Sequence, residues 1–196
     1  MRIIKDKDPI WYTDEYDIIL LGTHIYSSLS NGFQSKMKMK YPYIDEVNAK
    51  TPYGDRRKLG TILPVKPKNK TIPVIVLMYI STYPRRDMVS LDYAALERGL
   101  RYTLPLCKEK KVMTTVLGSS VHDGNGDKSH IMEIMGKLLM NIDVDIYDYT
   151  QIPKKDEIRV CLNKMRALKD TDPLKYEEIW SKRWDIMRDK LYLNVT

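Results

Sequence analysis

Two short polar segments of this chain have the composition that holding a phosphate requires. The first, Ser27-Ser28-Leu29-Ser30-Asn31-Gly32-Phe33-Gln34, follows the apolar run Ile18-Ile19-Leu20-Leu21. The second, Gly118-Ser119-Ser120-Val121-His122-Asp123-Gly124-Asn125-Gly126, follows Val112-Met113-Thr114-Thr115-Val116-Leu117. Small residues let backbone N–H groups come close to an anion, and a helix N-terminus behind them adds a favourable dipole. Gly32 and Gly118 stand at matching places in the two segments, and Gly124 follows in the second. Two such loops on one sheet would suit a ligand with two phosphates. The plain alternative is a pair of ordinary polar turns before helices.

His122 and Asp123 form the only adjacent His/Asp pair. Either could position or activate water for attack at a phosphate or an anomeric carbon. Neighbours in an extended loop point apart, so a direct dyad is not expected, and a solvated loop pair is the alternative. Asp127 is placed to cap the next helix. His24, after a buried strand, could line a pocket or pack in its wall. Phe33, the single phenylalanine, could stack on a sugar or base ring or anchor a helix in the core. Tyr147 and Tyr149 end the last strand, near the edge where α/β folds bind ligands, and one of them could contact a base. The histidines at 24, 122 and 130 have no metal-site spacing, and His130 reads as structural. Cys107 and Cys161 have no activating partner in the sequence. No metal or cofactor is expected.

These residues need a frame. Apolar runs at 18–21, 60–65, 72–80, 112–117 and 144–147 read as strands, the first of them a central parallel strand covered on both faces. Segments 29–40, 90–110 and 128–141 read as helices. Ser90 or Asp92 can cap the second of these, and Ile131, Ile134, Met135, Leu138 and Leu139 lie on one face of the third. Alternating strands and helices imply an α/β sandwich. From Pro153 onward the pattern changes. Segments 156–169 and 174–191 read as charged amphipathic helices, with Trp180, Trp184, Met187 and Leu191 on one side. They could pack on the core as a helical hairpin or serve as a partner-binding arm.

Bulk composition narrows the class. The chain has 196 residues, 43% hydrophobic and 30% charged, which suits one soluble core with an appendage. No apolar stretch reaches the roughly 20 residues of a membrane span. The charged start, Met1-Arg2-Ile3-Ile4-Lys5-Asp6, lacks a signal-peptide core, so a reducing cytoplasm is expected, that of a host if the chain is viral or from a phage. The formal charge of +7 suits an anionic ligand and leaves nucleic acid open. Lys36, Lys38 and Lys40 would fan around a helix as a solvated surface and not form one basic stripe.

Four stretches carry a family resemblance. Ser30-Asn31-Gly32-Phe33-Gln34 through Lys40-Tyr41-Pro42 is similar to the first loop and helix of the macrodomains, in particular the compact subgroup acting on terminal ADP-ribose or ADP-ribose-1″-phosphate. Lys58-Leu59-Gly60-Thr61-Ile62 resembles that subgroup's entry into its next strand. Leu91-Asp92-Tyr93-Ala94-Ala95-Leu96 resembles the start of its long helix, and Leu117-Gly118-Ser119-Ser120-Val121 its second phosphate loop. There are departures. Thr23 and His24 stand near the place of a usual asparagine, and Tyr79-Ile80-Ser81-Thr82-Tyr83 lacks the lysine that some hydrolases of the subgroup use. The aspartate of those hydrolases falls in register with His122, one residue before Asp123.

The expectation is a three-layer α/β/α macrodomain-like sandwich over residues 1–150 with a helical extension over 151–196. The resemblance implies that it binds ADP-ribose or a related nucleotide. Ligand contacts would come from Thr23, His24, Asn31, Gly32, Phe33, Gly118, Ser119, Ser120, Val121 and Gly124, with Asp123 or His122 as catalytic groups. Hydrolysis of ADP-ribosyl or ADP-ribose-1″-phosphate substrates is the implied reaction, without covalent lysine chemistry. Two alternatives stay open: an interaction module that has lost its ligand and docks a protein through the C-terminal helices, and a binder of nucleotide signals or RNA ends.

Overall fold

The computed structural model describes residues 1–5, 7–29, 32–67, 72–82, 88–120 and 123–148. Within them the elements run β1 (Arg2–Lys5), β2 (Ile18–His24), α1 (Gly32–Lys40), α2 (Tyr43–Ala49), β3 (Ile62–Val65), β4 (Val74–Ser81), α3 (Tyr93–Cys107), β5 (Val112–Thr115), α4 (Lys128–Leu139) and β6 (Val144–Asp148). The six strands form one sheet in the order β1-β6-β5-β2-β4-β3. All neighbours are parallel except β3, which runs antiparallel to β4 with Ile62 opposite Met78 and Val65 opposite Ile75. Pro64 lies in β3, an edge strand, where a missing N–H is tolerated.

The central position of β2 explains its sequence. All seven of its residues are buried, as a strand covered on both faces requires. Ile18 and Leu20 join the core formed with Leu96 and Leu100 of α3 and Ile131, Met135 and Leu139 of α4. Ile19 and Leu21 alternate with them and so face the other side, where Phe33, Met37 and Ile44 of α1 and α2 are equally buried. The sheet is thus packed between two helical layers.

Capping fixes where two helices start. The Asp92 carboxylate accepts the Ala95 N–H at 2.8 Å, and that of Asp127 accepts the His130 N–H at 2.7 Å. α1 begins at Gly32, later than the expected residue 29; Leu29 is 1% exposed in the preceding coil and is buried without being helical. β1 was not expected from the sequence. It pairs in parallel with β6, and Arg2 forms two bonds with Asp145, 2.6 and 2.9 Å long.

Candidate functional site

The parallel strands β2, β4 and β5 end on one side of the sheet, where α/β folds place ligands. Thr23, at the end of β2, is fully buried, and its hydroxyl has no hydrogen-bond partner. The Ser81 hydroxyl at the end of β4 and that of Ser90 share this condition. Buried polar atoms are normally paired; these three hydroxyls lie at the ends of β2 and β4 and in the segment before α3.

His24 follows Thr23 and is 4% exposed. Its Nδ1 accepts the Tyr26 N–H at 3.2 Å. Burial, reinforced by the Lys58 charge, pushes its pKa down to about 4. The imidazole is therefore neutral at physiological pH, part of the wall and not a cation for phosphate. Phe33 is 3% exposed, consistent with the core-anchor alternative. Asn31, the residue before α1, lies outside the described residues, as do Val121 and His122.

Asp123 is where the two loops meet. Gln34, in the first turn of α1 and 2% exposed, donates through Nε2 to the Gly22 carbonyl at 2.8 Å and to Asp123 Oδ1 at 3.1 Å. The residue Asp123 keeps partial exposure, but its carboxyl is desolvated, and burial pushes its pKa up to about 7 against the opposing bond from Gln34. A carboxyl poised there can take a proton from water near neutral pH. The sequence named Asp123, with His122, as a candidate. It did not show that Gln34 would reach Asp123.

The second loop differs from the expected row of open N–H donors. The N–H groups of Asp123, Gly124 and Asn125 all point to the Ser120 carbonyl, at 2.9, 3.1 and 2.9 Å. The Ser119 N–H and Oγ go to the Val116 carbonyl, and the Gly126 N–H to that of Gly118. Much of the loop's donor capacity thus maintains the turn itself. Its glycines have a local reason as well. A Cβ on Gly118 would come within 2.6 Å of Leu91 Cδ1, and one on Gly124 within 2.9 Å of Leu91 Cβ, at φ of +77° and +151°. The Gly124 carbonyl accepts the N–H groups of Ser90 and Leu91 at 2.8 and 3.0 Å. The loop is therefore moulded onto the residues that lead into α3.

Lys58 is another buried group at this end of the sheet. Its ammonium donates to the carbonyls of Ile25 and Pro52 at 2.8 and 3.1 Å, to Thr51 Oγ1 at 2.9 Å and to Ser27 Oγ, and it lies 4.3 Å from the centre of the Tyr79 ring. The sequence marked Lys58 only as the start of a Leu-Gly pattern.

Two expectations need correction. Tyr147 is 2% exposed, stacked on Tyr12 at 5.9 Å, with its hydroxyl 3.0 Å from that of Tyr16, so it belongs to the core and not to a base-binding surface. Lys36, Lys38 and Lys40 are not simply solvated: they pair with Asp8, Asp45 and Asp14, the last two at 2.6 and 2.7 Å. His130, expected to be structural, lies in the first turn of α4 and packs edge-on against Tyr93, in agreement with that reading. Tyr149 and the C-terminal helices proposed for residues 156–191 lie outside the described residues. Among the described residues, no group of His, Cys, Asp and Glu could hold a metal ion, and no helix is long and apolar enough to cross a membrane.

No protein-family model and no curated protein sequence matches this chain. Solved structures do match it in fold. The macrodomain of Mycobacterium tuberculosis DarG superposes with a TM-score of 0.59 at 14% identity, over 74% of this chain and 96% of that one. Thermosipho africanus DarTG in complex with ADP-ribose gives 0.61 at 14% identity, over 81% of this chain and 44% of that one. The Oceanobacillus iheyensis macrodomain with ADP gives 0.52 at 9% identity, over 79% and 85%. With its mixed six-stranded sheet between helical layers, this chain has the macrodomain fold.

Proposed function

We propose that this protein binds ADP-ribose or a closely related nucleotide at the C-terminal edge of β2, β4 and β5, and that Asp123 activates water there for hydrolysis of an ADP-ribosyl or ADP-ribose-1″-phosphate substrate. The observation that carries the reading is the Gln34–Asp123 contact, which ties α1 to the second loop, while Gln34 also bonds the carbonyl of Gly22, the residue before Thr23. Two solved structures of the same fold, at 14% and 9% identity, were obtained with ADP-ribose and with ADP.

The chemistry follows from the parts. The first-turn N–H groups of α1 lack intrahelical partners by the geometry of any helix, and they offer a diphosphate an electropositive end. Thr23 supplies a buried hydroxyl. Asp123, ionised, accepts a proton from water, whose oxygen attacks the anomeric carbon as its bond to the departing substrate oxygen breaks, or the terminal phosphorus as the P–O bond to the ribose breaks; the departing oxygen then takes up a proton, and Asp123 is ionised again. Gln34 holds the carboxyl in place during that step. Ser81 and Thr82 stand where some hydrolases of the resembled subgroup carry lysine, so no covalent lysine intermediate is part of the scheme.

Isothermal titration with ADP-ribose, with ADP and NAD as controls, tests the binding. One-to-one binding with a thermal stabilisation of about 2.7 kcal/mol at 100 times the dissociation constant is expected. No heat and no thermal shift at millimolar ligand would end the reading. Asp123→Asn should retain binding and abolish hydrolysis.

A further inference from the structure

Lys58 is 7% exposed, yet no carboxylate is hydrogen-bonded to it. Its four acceptors exceed the three N–H groups of an ammonium, so none is left for a ligand. Two of those acceptors, the Ile25 carbonyl and Ser27 Oγ, belong to the chain leaving β2 toward the first loop. The other two, Thr51 Oγ1 and the Pro52 carbonyl, belong to the chain just after α2. Ser27 also meets Thr51 directly, Oγ to Oγ1 at 2.8 Å. Burying an ammonium with no carboxylate bonded to it is expensive, and burial holds the Lys58 pKa below that of free lysine against the attraction of the Asp55 charge.

The second observation is in the backbone. Ser27 has φ of +54°, a left-handed conformation that a serine adopts only when its surroundings enforce it. It is the residue that both Lys58 and Thr51 grip. Ser27 lies at the start of the chain that leaves β2 toward α1, which begins at Gly32.

We infer that Lys58 is a positioning residue for the start of the first loop, its buried ammonium holding Ser27 in the left-handed conformation and so fixing the chain as it leaves β2. As a statement about ligand binding, this rests on the reading of that loop given above. As a statement about the loop's own order, it does not.

The test uses amide hydrogen exchange and ADP-ribose titration on the full chain. The amides of Ile25, Tyr26 and Ser27 are all hydrogen-bonded, to the Ser81 carbonyl, His24 Nδ1 and the His24 carbonyl, so their protection can be followed. Lys58→Met should speed exchange at these amides by about tenfold or more while β4 and β5 keep their protection. Glycine adopts positive φ without strain, so in a Ser27→Gly background the same Lys58→Met change should have a much smaller effect. Equal effects in the two backgrounds would make Lys58 a general support of the fold and overturn the inference. Should Lys58→Met fail to fold, Ser27→Ala removes only the gripped hydroxyl and should speed exchange at the same amides; unchanged protection there would also overturn it. In the titration, Lys58→Met should weaken ADP-ribose binding by about tenfold. If the unaltered protein binds no ADP-ribose while the exchange pattern is as expected, the nucleotide reading falls and the role of Lys58 in ordering the loop stands. If ADP-ribose binds and Lys58→Met changes neither exchange nor affinity, the role of Lys58 falls alone.

Discussion

Gln34 and Asp123 are 89 positions apart in the chain, and the Gln34 side-chain amide sits 3.1 Å from the Asp123 carboxylate while its nitrogen also reaches the Gly22 carbonyl at 2.8 Å. One buried amide therefore ties β2, the first turn of α1 and the second loop together. A neutral donor favours the ionised carboxylate, which burial disfavours.

Replacing that donor should move the proton balance of Asp123. In Gln34→Leu the carboxyl loses its hydrogen bond and its pKa should rise above about 7. A base works deprotonated, so any hydrolysis should rise with pH through that value, and the rising limb should shift to higher pH in the variant. Carbon-detected NMR of the Asp123 carboxyl reads the same change without a substrate. The unpaired Gly22 carbonyl should also lower stability by about 1–3 kcal/mol. A limb that stays in place would show that Gln34 does not tune the carboxyl.

The glycines of the second loop should respond to packing even with no ligand present. Gly118→Ala places a methyl 2.6 Å from Leu91 Cδ1 at a positive φ and should cost about 1–3 kcal/mol. Shortening the neighbour should relieve part of this. The Gly118→Ala/Leu91→Ala protein is expected to be more stable than the sum of the two single losses implies. Additive losses in urea denaturation would mean that Leu91 is not what a side chain at 118 meets. For the same reason, loss of binding in a bulky Gly118 variant says nothing about phosphate unless folding is verified.

How far the sequence reached depended on the length and regularity of each pattern. The continuous burial of β2 and the repeat of Ile131, Met135 and Leu139 in α4 come from side-chain periodicity, and both were legible. β1 was not, because four residues with exposed arginine and lysine ends carry no such signal. It pairs with β6, and its Arg2 bonds the distant Asp145, which sits in an apolar run without announcing a partner. The site divides in the same way. Asp123 was singled out as a candidate, with His122, for its residue type in a loop after a strand, and Thr23 through the family resemblance. Gln34 and Lys58 act through contacts across long stretches of chain, and glutamine or lysine on a polar segment looks like surface until the fold brings the partners in.

The Arg2–Asp145 contact predicts how β1 is held. Burial raises the Asp145 pKa, but the hydrogen bonds from Arg2 and Tyr16 outweigh it, and the net shift is downward. A lowered carboxylate pKa stabilises the fold above the unfolded value near 3.8, and that stability is lost as pH falls through the folded one. Asp145→Ala should cost about 1–3 kcal/mol at neutral pH. It should also speed amide exchange in β1 before the rest of the sheet and flatten the acid limb of the stability curve. Undiminished protection of β1 in that variant would mean the strand is held by its backbone ladder alone.

His24 and Asp123 should pull the pH dependence of stability in opposite directions. The His24 pKa falls from 6.5 to about 4 on folding, so between these values the unfolded chain binds the extra proton and stability rises with pH. The Asp123 pKa rises from 3.8 to about 7, so over nearly the same window the folded chain holds the extra proton and stability falls with pH. Each effect is on the order of a few kcal/mol at full titration, and together they should leave the unaltered protein with a shallow profile between pH 4 and 7. Single variants should expose the hidden slopes. Asp123→Asn removes the falling contribution, so its melting temperature should climb with pH through this window. His24→Phe removes the rising one, so its melting temperature should decline. Parallel melting curves for all three proteins would show that neither group changes its protonation on folding, and the poised carboxyl on which the proposed water activation depends would be lost with them.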